Sequence, residues 1–143
     1  MKKIITLVLA ACMMLTSFCA LAESDTYTIV VMPKQVGITY FESARAGVVK
    51  AGEELGVNAV FTGPTVADAA EQVKMIQDLI SQGVNAIAVS ANDADALTPV
   101  LTQARNAGIV ILDWDTPADP TVVDLSVQTV EFKRHDAFQQ VVF

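Results

Sequence analysis

The sequence predicts an α/β protein whose mostly parallel sheet carries helices on both faces. Short runs rich in β-branched residues alternate with longer segments in which apolar residues recur every three or four positions. A glycine joins a helical segment to the next strand three times, at Gly56, Gly83 and Gly108, which lie 27 and 25 residues apart. This spacing is the period of a repeated strand–helix unit, and such repeats are typical of a parallel sheet.

The boundaries of the elements follow from capping and chain-breaking residues. Each predicted strand is a short apolar run bounded by glycine or proline, as at Pro33 after the first strand. Thr65 is the predicted N-cap of the second helix, and Asn92 or Asp93 that of the third. The strands are predicted over residues 27–32, 57–61, 86–89, 109–112 and 122–127, and the helices over residues 40–55, 66–81, a segment between Asp93 and Gly108, and 130–142.

The first 22 residues are predicted to be a secretory signal peptide, which places the mature chain in the periplasm or on the outer face of the cell envelope. Two lysines precede an apolar run, and the Ala-Leu-Ala segment at 20–22 provides a cleavage site before acidic residues. A transmembrane anchor over residues 4–22 and a lipoprotein cleaved before Cys12 are the alternatives. Cleavage after Ala22 removes both cysteines, Cys12 and Cys19, so the mature chain would contain no disulfide. It also removes the apolar segment, so we expect no stable membrane insertion of the mature chain.

The composition excludes several classes of protein. With 9 Lys and Arg against 16 Asp and Glu, the formal net charge is −7, so the chain lacks the basic surface that nucleic-acid binding requires. No G-x-G-x-x-G, P-loop or G-x-S-x-G motif occurs. His135 is the single histidine, which leaves no His pair for a zinc site. We therefore expect no cofactor, no nucleic-acid partner and no enzymatic activity.

Polar and aromatic side chains follow the predicted strands where the strands end. The carboxyl edge of an open α/β sheet is where ligands bind, so these side chains are expected to converge there. An ammonium, a carboxylate, a hydroxyl and aromatic rings together suit a polyol, whose hydroxyls need hydrogen bonds and whose C–H faces need apolar cover. Taken singly, each residue is about as consistent with a solvated loop or with packing. The candidates are Lys34, Tyr40, Phe41, Ser90, Trp114 and Asp115.

Several segments resemble the sugar-binding proteins of bacterial ABC transporters, and among them the rhamnose-binding and autoinducer-2-binding proteins. They are residues 31–41, 56–65, 77–87, 89–92 and 110–115, and the resemblance extends over about residues 27–130. It implies two α/β lobes joined by a hinge, a ligand held between them, and a closed form that docks on a membrane permease. It also implies ligand contacts from Lys34, Asp115, Ser90 and the aromatic pair Tyr40 and Phe41.

The sequence departs from that family in length, because it stops at Phe143 and a complete member is more than twice as long. The expected organisation is a signal peptide at 1–22, an N-terminal lobe at 23–128, and a hinge crossing with the start of a second-lobe helix at 129–143. With the second lobe largely absent, we expect weak or undetectable sugar binding by this chain alone. The alternatives are a solute sensor for a chemoreceptor or sensor kinase and, less favoured, an exported enzyme using Lys34 and Asp115.

Overall fold

The computed structural model describes residues 26–127, which form a five-stranded sheet and three helices. No helix in this range is long and apolar enough to cross a membrane. The predicted signal peptide at 1–22 and the predicted hinge and helix at 129–143 lie outside the described residues. The strands are β1 Thr28–Met32, β2 Asn58–Phe61, β3 Ala86–Val89, β4 Val110–Trp114 and β5 Leu125–Val127, and the helices are α1 Thr39–Leu55, α2 Ala69–Gln82 and α3 Ala94–Asn106.

The sheet is parallel throughout, in the order β2-β1-β3-β4-β5. Val30 of β1 is in register with Val60 of β2 and with Ile87 of β3. The chain leaves β1 toward β2 and then crosses back to β3 on the other side. This arrangement confirms the predicted parallel α/β fold and places a topological switch point between β1 and β3, the position at which such sheets form a crevice at their carboxyl ends.

The two faces of the sheet are covered by different helices. Along β1, Val30 and Met32 are buried in a cluster with Ile76 of α2 and Leu97 of α3. The neighbouring positions along each strand point to the opposite face because side chains alternate in a strand. On that face α1 lies against β2 so closely that a Cβ built on Gly52 would be 2.8 Å from the Cβ of Ala59. Helices therefore cover both faces, as predicted.

Several predicted boundaries are wrong by a few residues. The N-cap of α2 is Asp68, not Thr65, because its carboxylate accepts hydrogen bonds from the backbone N–H groups of the first turn, at 2.7 and 3.1 Å. The predicted helix start at Val66 is consequently an exposed loop position. Of the two candidate caps for α3, Asp93 is the N-cap. Strand β4 runs on to Trp114, and β5 begins at Leu125 because residues before it form a turn.

The prediction that glycines end the helices is confirmed for α1 and α2. Gly56 and Gly83 are the C-cap residues of these helices, with φ angles of 66° and 67°. This left-handed conformation is strained for residues with a Cβ, which is why glycine commonly ends a helix. The apolar periodicity of residues 40–55 predicts that Leu55 faces the sheet, but in the structure it is 72% exposed beside the first of these caps. In its last turn α1 therefore contacts the sheet through Gly52 and not through Leu55.

Candidate functional site

The structure places the predicted site residues at the carboxyl edge of the sheet. Lys34 follows β1 by two residues, Ser90 follows β3 directly, and Asp115 follows β4 directly. Tyr40 and Phe41 are the second and third residues of α1, and Trp114 is the last residue of β4. Three loops and one helix start therefore converge on one edge, because parallel strands all end on the same side of the sheet.

The carboxylate of Asp115 is the centre of this cluster. Tyr40 donates a hydrogen bond from its hydroxyl to Oδ1 at 2.8 Å, and Ser90 donates from Oγ to Oδ2 at 2.9 Å. Thr116 Oγ1 adds a longer contact to Oδ2 at 3.3 Å. A carboxylate has about four acceptor positions, so these three donors fix its orientation and leave capacity for a ligand hydroxyl.

The backbone at Asp115 adopts a rare conformation. Its φ angle is 60°, and it is the single non-glycine residue with a positive φ among residues 26–127. A hydrogen bond of 2.7 Å from the N–H of Thr116 to the carbonyl of Trp114 closes a tight turn around it. Aspartate tolerates this region better than most residues. Positive φ angles outside glycine concentrate at functional sites, where surrounding contacts hold the strain.

The neighbouring carboxylate raises the pKa of the Tyr40 hydroxyl. The hydrogen bond to Asp115 is the largest cause, followed by partial burial and by the negative charge itself. All three favour the neutral phenol over the phenolate. Tyr40 therefore stays a hydrogen-bond donor to Asp115 across the physiological pH range.

Three aromatic rings form a connected wall beside the carboxylate. The ring centroid of Phe41 lies 5.0 Å from that of Tyr40 and 5.6 Å from that of Trp114, and both pairs pack edge to face. Phe41 is buried, whereas Tyr40 is 55% exposed. The indole of Trp114 donates to the carbonyl of Ala88 at 3.2 Å. Phe41 thus supports the two outer rings, which are placed to cover an apolar ligand face.

Lys34 supplies the positive charge at this edge. It is half-buried, and its carbonyl accepts a hydrogen bond of 2.9 Å from Nδ2 of Asn92. Within residues 26–127 its ammonium makes no hydrogen bond or ion pair. The described range also contains no group of three His, Cys, Asp or Glu side chains arranged to hold a metal ion. The predicted site residues therefore provide the ammonium of Lys34, the fixed carboxylate of Asp115 and an aromatic wall at this edge.

The model of the periplasmic binding protein domain family matches residues 29–134, more than half of the chain. The chain belongs to this family. LsrB from Clostridium saccharobutylicum, solved in complex with AI-2, is 37% identical with a TM-score of 0.69, over 71% of this chain and 31% of that one. An ABC transporter solute binding protein from Clostridium phytofermentas with bound L-rhamnose is 36% identical with a TM-score of 0.69, over 72% and 32%.

Ribose import binding protein RbsB of Bacillus subtilis is 22% identical over 144 residues, which is 93% of this chain and 47% of RbsB. The chain thus spans less than half the length of RbsB and about a third of the two solved structures. The relatives of this chain are sugar-binding proteins of ABC transporters. The family is one of solute-binding proteins and not one of enzymes.

Two residues of this periplasmic binding protein domain were not predicted from the sequence as part of the site. Gln72 is fully buried in α2, and its side chain contacts the loops that follow β1 and β3. Asn92, considered above only as a helix cap, holds the carbonyl of Lys34. A signal existed for Gln72, because it lies four residues before Ile76 and seven before Leu79, on the buried side of α2.

Proposed function

We propose that this chain forms the N-terminal lobe of the substrate-binding component of a bacterial ABC importer. The lobe captures a small sugar or sugar-like signal of the rhamnose, autoinducer-2 or ribose class outside the cytoplasmic membrane, for delivery to a membrane permease. The observation that carries this proposal is the Asp115 carboxylate, fixed by the hydroxyls of Tyr40 and Ser90 at the carboxyl edge of the sheet. Relatives solved with AI-2 and with L-rhamnose support the ligand class.

The chemistry of the edge suits a polyhydroxylated ligand. Asp115 accepts hydrogen bonds from ligand hydroxyls, and the ammonium of Lys34 donates to a ring or carbonyl oxygen. The rings of Tyr40 and Trp114 cover C–H faces. Because protein donors already orient Asp115, ligand binding costs little conformational entropy at this side chain.

A ligand on this edge contacts the lobe on one side only. Small-ligand sites typically bury about 70–90% of the ligand surface. Burial to that extent requires protein surfaces on two sides of the ligand. Residues 129–143 are predicted to be the hinge crossing and the start of the second-lobe helix, and the second facing surface would belong to that lobe. We therefore expect this chain alone to bind sugars too weakly for calorimetry to detect, but strongly enough to shift amide resonances at high ligand concentration.

The test is a ligand titration of ¹⁵N-labelled protein followed by amide chemical shifts, which detect weak binding. L-rhamnose, D-ribose, D-allose and AI-2 are added in turn. We expect at least one of them to shift the amides around Lys34, Ser90 and Asp115, and we expect Lys34→Met and Asp115→Asn to abolish the shifts.

Two exposed residues away from this edge provide matched controls. Lys50→Met, in α1, and Asp78→Asn, in α2, make the same changes of charge and should leave the response intact. Absence of any response to all four ligands, or a response that survives Lys34→Met, would contradict the proposal.

A further inference from the structure

A buried amide network lies directly behind the candidate site. We propose that Gln72 and Asn92 are positioning residues that hold the loops after β1 and β3 in the geometry required for ligand binding. They do so without touching the ligand. This inference rests on the proposed function, because it concerns how Lys34 and Ser90 are presented to the sugar.

The side chain of Gln72 joins the two loops through their main chains. Its Nε2 donates to the carbonyl of Ser90 at 2.9 Å and to the carbonyl of Pro33 at 3.3 Å. Its Oε1 accepts from the backbone N–H of Asn92 at 2.9 Å. Both amide protons and the carbonyl oxygen of the glutamine are therefore used, and every partner belongs to a loop that carries a site residue.

Asn92 extends the network to Lys34. Its Nδ2 donates to the carbonyl of Lys34 at 2.9 Å, so the loop after β3 holds the loop after β1 a second time. The hydroxyl of Ser90 in turn donates to Asp115. A shift at Gln72 would consequently reach both charged groups of the site, Lys34 through Asn92 and Asp115 through Ser90.

Packing alone does not explain a glutamine at position 72. The residue is fully buried next to an apolar cluster that includes Ile76 and Leu79 of the same helix. An apolar side chain of similar size fills such a position without the desolvation cost of an amide. The amide is favourable here because it bonds to three main-chain groups at the ends of β1 and β3, two of which belong to the fully buried residues Pro33 and Ser90.

The test compares two site-network variants with a packing variant of α2. Gln72→Met keeps the volume and removes all three contacts, and Asn92→Ala removes only the contact to Lys34. Leu79→Ala is the control, because it destabilises the same helix from within the apolar cluster and lies outside the network. All proteins are measured at one temperature, below the thermal unfolding midpoint of the least stable variant. The measurements are amide hydrogen exchange and the sugar titrations described above.

In Gln72→Met, we expect exchange of the amides of residues 90–92 to accelerate by about tenfold or more relative to core amides. We also expect affinity for the responding sugar to fall by about tenfold or more. Asn92→Ala should weaken affinity by a smaller factor. Because Asn92 is only half-buried, we expect this variant to fold, and it tests the inference even if Gln72→Met does not fold. Leu79→Ala should accelerate exchange across the molecule and leave affinity unchanged.

Wild-type exchange and affinity in both network variants would overturn the inference. Loss of affinity with unchanged exchange at residues 90–92 would overturn it as well, because the effect would not act through the loops. If wild-type protein responds to no sugar, the proposed function fails. The exchange measurements then still decide whether Gln72 and Asn92 hold the two loops.

Discussion

The positive φ angle of Asp115 leads to a prediction about stability that separates backbone strain from side-chain contacts. Asp115→Gly and Asp115→Ala both remove the carboxylate and leave the buried hydroxyl of Ser90 without its acceptor, which costs about 1–3 kcal/mol in each variant. That loss cancels between the two variants. What remains is the backbone, held at φ 60°, where alanine is strained by about 1–2 kcal/mol and glycine is not.

At an ordinary position alanine stabilises a protein by about 0.4–1 kcal/mol relative to glycine, since glycine gives the unfolded chain more freedom. At Asp115 we expect the order to reverse, with Asp115→Gly more stable than Asp115→Ala by about 1 kcal/mol. The control is Gly47→Ala in α1, where an added Cβ meets nothing within 4 Å. There alanine should be the more stable residue by about 0.5–1 kcal/mol.

Urea unfolding of the four proteins, followed by far-ultraviolet circular dichroism, measures these differences directly. Under linear extrapolation, equal slopes show that the variants expose the same surface on unfolding, so that a shifted midpoint reports a change in the free energy of unfolding. An Asp115→Ala protein as stable as Asp115→Gly, or more stable, would refute the reasoning, because it would show that the turn relaxes out of the left-handed region when the carboxylate is removed. Gly47→Ala must show the normal order for the comparison to hold.

Two further predictions follow from the same structure. The pKa of Tyr40 should fall back toward its ordinary value in Asp115→Ala, measured by ultraviolet titration against Tyr40→Phe. Because folding raises this pKa, the stability that the bond to Asp115 contributes is fully present at neutral pH and is lost as the pH rises through the raised pKa. An unchanged pKa would show that the hydrogen bond does not persist in solution. Gly52→Ala should lower the free energy of unfolding by about 1–3 kcal/mol, measured by urea unfolding, because the new Cβ would lie 2.8 Å from that of Ala59. An unchanged free energy of unfolding would mean that α1 lies farther from β2 than the structure shows.

The candidate site was predicted from the sequence at the level of which residues share an edge. Parallel strands end on one side of a sheet, so the order of strands and loops was enough to bring Lys34, Ser90 and Asp115 together. The sequence did not reveal that Tyr40 and Ser90 both donate to Asp115. Those bonds depend on where the start of α1 meets the end of β4, a long-range contact that no local pattern specifies.

The same division holds across the fold. Apolar periodicity and the helix-ending glycines determined the sequence of strands and helices, because both reflect interactions within a few residues along the chain. The N-cap of α2 and the start of β5 differed from prediction, since several polar residues in each loop were equally suitable caps or turn formers. At the start of α2, the hydrogen bonds from the first-turn N–H groups to the carboxylate of Asp68 distinguish it from the other candidates.

Only the tertiary structure decided the role of the polar residues between the elements. Gln72 is one of several glutamines in the sequence, and nothing in its neighbourhood along the chain distinguishes it from an exposed helix residue except its alignment with Ile76. Packing α2 against the sheet removes that amide from water and obliges it to bond to the loops beside the site. Local sequence thus fixes where the strands and helices form, and the free-energy cost of burying unpaired polar groups fixes how the loops between them are held.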